Sequence, residues 1–483
     1  MASNELYACH NYLLLNPKET SWFDLVRLLA SSKIEKRKFI EYSLDQRDDL
    51  HDLRKFQRRW LIFISLLVQK LLIAFHYPMA QIGNLLEMWL NLLSTNGGLL
   101  GIFSNLLRGK KLVMPDRLSA EFRSVVGISD TRVELDECNG IDDTRYRVFL
   151  SMMAAKISYE NKAFVQATVK NHWKMDLLGY FNFWNYYQDL PSTQAIVVQD
   201  TRAEPNLIVV AFRGTEPFGA DAWMTDIDIS WYELENVGKI HGGFMKALGL
   251  QKNKGWPKEI DQSVQNRQYA YYAIRQMMKD ILEKNESAKF IFTGHSLGGA
   301  LAVLFVALLA FHAEELLLER LEGVYTFGQP RVGDKIFGHF MNEKMKKYTV
   351  RYIRHVYCND IVPRVPFDDK TLFFKHFGHC LQFNSLYHGK VVWEEPNKNY
   401  FSVLWVIPKY LNAVWEIIRS FIIPYILGKP YREGWFMKLF RLVGLVIPGL
   451  PAHLPQDYVN ATRLGFFHRD LELLNPQTES KDD

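Results

Sequence analysis

A serine framed by glycines, a carboxylate and a histidine can together carry out acyl transfer, and this sequence offers candidates for all three. The serine lies in Thr293-Gly294-His295-Ser296-Leu297-Gly298-Gly299-Ala300. From residue frequencies, a bare G-x-S-x-G match arises by chance in about one chain in seven of this length. Its setting carries the weight. Residues 289–293 read as a short apolar strand and residues 297–313 as an Ala/Leu-rich helix, so Ser296 falls on a strand-to-helix turn. Such a turn leaves no room for bulky side chains two residues to either side, hence Gly294 and Gly298 around His295 and Ser296. The helix start also offers free N–H groups to a developing oxyanion.

A serine hydroxyl becomes a useful nucleophile only when a histidine takes its proton and a carboxylate fixes that histidine. Asp360 follows an apolar strand at residues 350–356, in Tyr357-Cys358-Asn359-Asp360-Ile361-Val362-Pro363. Loops at the carboxyl ends of strands are where α/β sheets present functional groups. Downstream histidines are His376, His379, His388, His453 and His468. Where a nucleophile occupies this kind of turn the chain order is Ser, acid, His. His453, late in the chain within the loop-like Leu450-Pro451-Ala452-His453-Leu454-Pro455, suits that order best, with His379 and His388 as its rivals.

Positioning these groups requires a sheet. From about residue 143, helical stretches at 146–159, 269–284 and 297–313 alternate with strands at 194–199, 207–212, 289–293, 324–327 and 350–356. That alternation predicts an α/β fold with helices on both faces of the sheet. Composition agrees with a globular protein, at 48% hydrophobic and 23% charged residues. A net charge of +5, without a long basic tract, excludes a nucleic-acid reading and leaves room for anionic lipid headgroups. Cys9, Cys138, Cys358 and Cys380 are scattered and lack metal-ligand spacing, which fits a reducing, cytosolic environment. No basic n-region with an apolar core opens the chain, so no secretion signal is expected.

The first 140 residues differ from the rest. Basic clusters (Lys36, Arg37, Lys38; Arg54, Lys55, Arg58, Arg59) precede an apolar stretch from Trp60 to Phe75. As a helix this would be about 24 Å long, short of a bilayer core of roughly 30 Å. Pro78 interrupts it, and a second apolar segment runs from Ile82 to Leu107 before Arg108, Lys110 and Lys111. A helical hairpin dipping into one leaflet, or packing on the catalytic part, is the expectation. A second apolar region, from Tyr400 to Leu450, separates Asp360 from His453. There Leu411, Val414, Trp415, Ile418 and Ile422 share one helical face, and Lys409, Asn412, Glu416 and Arg419 the other. Trp435, Phe436, Leu439, Phe440 and Val443 continue the apolar pattern. Core packing, a self-association surface and an interfacial helix beside the site all remain open.

Gly294 to Ala302 closely resembles the serine turn of the class 3, or fungal-type, triacylglycerol lipases. Phe212-Arg213-Gly214-Thr215 is similar to that family's oxyanion loop, and Asn359-Asp360-Ile361-Val362-Pro363-Arg364 to its acid loop. His241-Gly242-Gly243-Phe244 and Phe327-Gly328-Gln329-Pro330-Arg331-Val332-Gly333 look like two further family landmarks. The likeness covers residues 146–367 and the region around His453. The whole chain, including His453-x-x-x-Asp457-Tyr458-Val459-Asn460, resembles the plant oil-body lipases within the family. The resemblance implies an α/β-hydrolase fold with a mixed, mostly parallel sheet, and selects His453 as the base. It implies that Thr215, with the backbone N–H of Leu297, holds the oxyanion. It also implies a lid in Glu216-Pro217-Phe218-Gly219-Ala220-Asp221-Ala222-Trp223-Met224, able to swing onto lipid.

The expected organisation is a lipid-interacting helical region at 1–140, a hydrolase domain at 141–470 with an insertion at about 396–450, and a polar tail at 471–483. The expected activity is hydrolysis of acylglycerol esters at the cytosolic face of a lipid droplet or membrane, with a homo-oligomer possible. No cofactor and no metal are expected: Asp226 and Asp228 form an Asp-x-Asp pair without the remaining oxygen ligands of a calcium loop. Phospholipase or galactolipase A1 activity uses the same apparatus and stays open. A non-catalytic scaffold and a droplet-coating protein are the alternatives from other classes.

Overall fold

The structure is a computed structural model describing residues 9, 11–32, 37–43, 55–135, 144–251, 255–260, 267–366, 373–394, 398, 400, 403–428 and 430–465. Cys138, His468, the tail at 471–483 and the start of the insertion at 396 lie outside the described residues. In chain order the strands are β1 (Tyr12–Leu15), β2 (Ile40–Ser43), β3 (Asp176–Asn185), β4 (Leu190–Asp200), β5 (Leu207–Phe212) and β6 (Trp231–Leu234). There follow β7 (Gly238–His241), β8 (Lys289–His295), β9 (Leu321–Phe327), β10 (Arg351–Tyr357), β11 (His379–Phe383) and β12 (Gly389–Val392). The helices that bear on the site are α1 (Phe56–Thr95), α2 (Gly98–Leu107), α3 (Thr144–Ile157) and α4 (Ala220–Ile227). After them come α5 (Leu297–Phe311), α6 (Val406–Leu427), α7 (Trp435–Phe440) and α8 (Pro455–Leu464).

An eight-stranded sheet runs in the order β12-β11-β10-β9-β8-β5-β4-β3. Its middle, from β5 to β11, is parallel. β3, β4 and β12 add antiparallel edges. This is the mixed, mostly parallel α/β-hydrolase sheet expected from the sequence. β5 is buried at every residue because both sheet faces are covered. Its alternate side chains separate cleanly. Ile208 and Val210 join Phe290, Phe292 and the α5 residues Leu301 and Phe305 on one face. Val209 and Ala211 join Ile291 and the α3 residues Phe149 and Met153 on the other.

The N-terminal region departs from expectation in two respects. It is not helical throughout: β1 and β2 pair with β6 and β7 in a second, four-stranded sheet, so this region shares a sheet with the lipase-like part of the chain. Nor does Pro78 break the helix. α1 continues through it for 40 residues, about 60 Å. A proline removes one N–H bond and crowds the carbonyl one turn back, but here the helix is held on both sides. Ser65 Oγ donates to Ile227 O at 2.8 Å, and Asn91 Nδ2 to Arg123 O at 2.8 Å. Arg59 Nη1 caps Leu28 O and Leu29 O. The chain turns instead at Gly97 and Gly98, both at positive φ. By length and composition α1 is able to cross a membrane; its buried polar residues tie it to the rest of the chain. α2 buries no residue, and Leu100 is 84% exposed.

The second apolar region is inverted relative to a soluble helix. On α6, Lys409, Glu416 and Arg419 are buried, whereas Leu411, Val414, Trp415, Ile418 and Ile422 face outward.

Candidate active site

Ser296 sits between β8 and α5 with φ 58° and ψ −133°. A side chain held at positive φ is strained by about 1–3 kcal/mol and persists only where surrounding structure imposes it. The imposing contacts are close. A Cβ at Gly294 would lie 2.1 Å from the Gly298 carbonyl carbon, and one at Gly298 would lie 2.1 Å from Phe212 O. Ser296 N donates to Phe327 O at 2.9 Å, fixing the turn to β9.

β10 ends where the acid loop begins, and α8 is preceded by the turn Pro451–His453. Between them, His453 Nδ1 lies 2.8 Å from Asp360 Oδ2, and His453 Nε2 lies 2.8 Å from Ser296 Oγ. With its proton on Nδ1 the imidazole donates to Asp360 and accepts from the serine hydroxyl. Asp360 is fully buried and takes two more donors, Val362 N at 2.9 Å and the Tyr458 hydroxyl. Gly328 passes beneath: a Cβ there would lie 2.8 Å from Asp360 Oδ2 and 3.0 Å from His453 Nδ1. The glycine of Phe327-Gly328-Gln329-Pro330 is therefore a clearance for the imidazole–carboxylate contact.

His295 braces the base from behind. Its Nε2 donates to His453 O at 2.7 Å, and its Nδ1 accepts from the Tyr159 hydroxyl at 2.9 Å. Burial, and then the neighbouring His453, push its pKa well below the usual histidine value, so it stays neutral. The rivals to His453 lie elsewhere. His379 opens β11 with its ring 4.9 Å from that of Trp393, and His388 closes the turn before β12, its N–H bonded to Asn384.

Thr215 follows β5, and Leu297 opens α5. Thr215 Oγ1 donates to Asp226 Oδ2 at 2.6 Å. Asp226 lies on α4, two residues beyond the segment expected to form a lid. The sequence offered it only as half of a weak cation pair. Its Oδ2 is instead occupied by Thr215, and Asp228 holds Ser230 at its N–H and Lys246 at 3.2 Å. Among the described residues no group of three or more candidate ligands could hold a metal. Ser296 is 5% and His453 8% exposed, so the site is closed. α1 lies along the lid segment: His76 Nε2 is 3.2 Å from Asp221 Oδ2, and Gly83 packs on the Phe218 ring.

Burial pushes the Asp226 carboxyl up to about 7, against the opposing effects of the Thr215 bond and nearby His453. Between about pH 4 and 7 the folded chain therefore keeps a proton that the unfolded chain has lost. Stability from this group is complete below pH 4 and declines as pH rises to 7. Asp226→Asn is expected to reduce the drop in melting temperature between pH 5 and pH 8. An unchanged difference would show that this carboxyl does not titrate there.

Tyr458, Tyr159 and Asp226 are the residues at the site to which sequence reasoning assigned no such role. Tyr458 left one signal, its place in the first turn of α8 shortly after His453.

A family model described as lipase (class 3) matches residues 209–370. Over 94% of its length the chain is 42% identical to triacylglycerol lipase OBL1 of Arabidopsis thaliana, spanning 95% of that protein. It is 41% identical to triacylglycerol lipase OBL1 of Nicotiana tabacum, over 84% of this chain and 83% of that one. A lipase of Rhizomucor miehei is 31% identical over 36% of this chain and 43% of its own length.

Proposed function

The chain belongs to the class 3 lipases and is a carboxylic ester hydrolase of the triacylglycerol lipase type; from that premise we propose that it hydrolyses acylglycerols at lipid droplet surfaces through Ser296, His453 and Asp360. Ser296 Oγ attacks the ester carbonyl as His453 Nε2 takes its proton, and Asp360 stabilises the imidazolium that results. The Leu297 N–H and the Thr215 hydroxyl, once it turns from Asp226, hold the oxyanion. Collapse breaks the ester C–O bond, the glycerol oxygen taking the proton from His453 to leave as the alcohol, and water then hydrolyses the acyl-enzyme by the same route. The observation that carries the reading is the unbroken Ser296–His453–Asp360 hydrogen-bond line ending on a hydroxyl at a strained turn.

Action at a surface follows from what the closed site hides and what the exterior exposes. α4 and its flanking turns form the lid, which uncovers Ser296 when it moves onto lipid. The outward faces of α2, α6 and α7 supply the lipid contact, with residues 1–140 as the lipid-interacting region and 141–470 as the hydrolase. Each large apolar side chain transferred into lipid contributes about 1.5–3 kcal/mol. Leu411, 65% exposed, and Ile418 stand on the outer face of α6. Leu411→Glu with Ile418→Glu is expected to weaken binding to a triolein emulsion by at least about a hundredfold. Turnover of soluble p-nitrophenyl butyrate should not change. Unaltered emulsion binding would remove α6 from the lipid contact.

The function itself is tested by a lipid-class panel with the purified chain: emulsified triolein against phosphatidylcholine and galactolipid vesicles. Preference for triolein supports the proposal. Faster release of fatty acid from either polar lipid would replace it with an A1-type activity.

A further inference from the structure

Burying charges beneath a helix whose outer face is apolar is unfavourable, since well-packed apolar residues would hold the same elements at lower cost. Glu416 and Arg419 nevertheless project inward from α6, Arg441 from the turn Arg441–Leu445 after α7, and Asp457 from the first turn of α8. All four are buried. Arg441 Nη1 lies 2.9 Å from Glu416 Oε2, and its Nη2 lies 3.0 Å from Asp457 Oδ1. Arg419 Nη2 spans the same two acids at 2.8 and 3.4 Å. Two guanidinium forks thus clamp a carboxylate from the outward-facing helix to a carboxylate from α8. The fork donates to carboxylates only along fixed N–H directions, so it imposes a geometry as well as an attraction.

Both sides of the clamp reach the segments that bear the acid and the base. Asp457 stands about one helical turn beyond His453, and its neighbour Tyr458 donates to Asp360 Oδ2. Tyr357, at the end of β10 and shortly before Asp360, points its hydroxyl at Glu416, 3.3 Å from each carboxylate oxygen. The strand carrying the acid and the helix following the base are therefore fastened to one ionic cluster.

We infer that Glu416, Arg419, Arg441 and Asp457 are positioning residues for the hydrolysis, setting His453 against Asp360 by fixing α8 and the end of β10 to the underside of α6. The inference rests on His453 being the base. It makes the apolar insertion part of the active-site scaffold: the helix that meets lipid on its outer face holds the base in register with its inner one.

The test uses the full chain, p-nitrophenyl butyrate, and titration of reactive serine to completion with a fluorophosphonate, so that kcat is expressed per intact site. Asp457→Asn keeps the side-chain volume and removes the charge. Arg441→Met removes the fork, and Arg441→Lys keeps the charge without it. A control cluster, Asp130 with Arg132 and Lys156, is equally buried and bonds to none of Ser296, His453 or Asp360. Asp457→Asn and Arg441→Met are expected to lower kcat per site at least about tenfold with KM within about twofold. The acidic limb of the kcat/KM profile should move to lower pH, because a histidine less well held against a carboxylate is more easily deprotonated. Arg441→Lys should fall between wild type and Arg441→Met. Asp130→Asn should lower the melting temperature and leave kcat per site and the pH limb alone.

Wild-type kcat per site and an unshifted limb in Asp457→Asn would overturn the inference, leaving the cluster a fold-holding device; that variant decides if Arg441→Met does not fold. Failure of the wild-type chain to label at Ser296 would instead overturn the hydrolase reading on which it rests.

Discussion

Ser296→Ala is expected to abolish turnover of both emulsified triolein and soluble p-nitrophenyl butyrate, a loss of about a millionfold in kcat. The size follows from what is removed. With no hydroxyl, neither the His453 Nε2 contact at 2.8 Å nor the acyl-enzyme exists, and only oxyanion stabilisation and substrate binding remain. Removing His453 in addition should change little, since residues that act as one unit lose their effect together. Fold and emulsion binding should survive, because alanine meets the same backbone angles as serine. Ser296→Gly adds an independent measurement. Glycine tolerates a φ of 58°, so this variant, equally inactive, should melt above Ser296→Ala. Retained turnover in either variant would refute the mechanism.

Asp360→Asn should lower kcat by about ten-thousandfold. Three donors converge on this carboxylate: His453 Nδ1, Val362 N and the Tyr458 hydroxyl. An amide offers one oxygen in place of two and brings its own NH2 group into a buried site already supplied with donors. It also carries no negative charge to stabilise the imidazolium as proton transfer proceeds. Stopped assays at saturating soluble ester measure the loss. Tyr458→Phe, which removes a single donor and leaves the charge, should cost far less. A loss of less than about tenfold in Asp360→Asn would assign the orienting role to another group.

Legibility in the sequence followed the distance over which each feature is decided. The serine turn is local: glycines at 294 and 298 and an apolar run on each side suffice to place Ser296 between a strand and a helix. Asp360 is nearly as local, standing just past a strand end. His453 needed more. Two histidines nearer the acid, His379 and His388, competed with it, and only chain order together with the family resemblance preferred it. Asp226 carried no usable signal and Tyr458 only its place shortly after His453, because a tyrosine or aspartate on a short helix looks the same whether it faces solvent or a partner on another element.

The N-terminal region shows the other kind of miss. Pro78 is a sound reason to end a helix when the helix stands alone. α1 does not: its partners at Leu28, Arg123 and Ile227 come from other parts of the chain, and their contacts hold it on both sides of the proline. Likewise β1, only four residues long, gains its place in a sheet from β2 and β6.

By itself the order of residues determined the alternating elements, the strand-to-helix turn that exposes a serine, and the two faces of α6, since each depends on periodicity or sterics within a few residues. Tertiary structure alone decided which face of α6 looks outward. The apolar stripe has the pattern of a core helix, and it is the inward pairing of Glu416 with Arg441 and of Arg419 with Asp457 that turns it over. Charge pairing is satisfied between elements, not within one, and so it becomes visible only when the chain has brought them together.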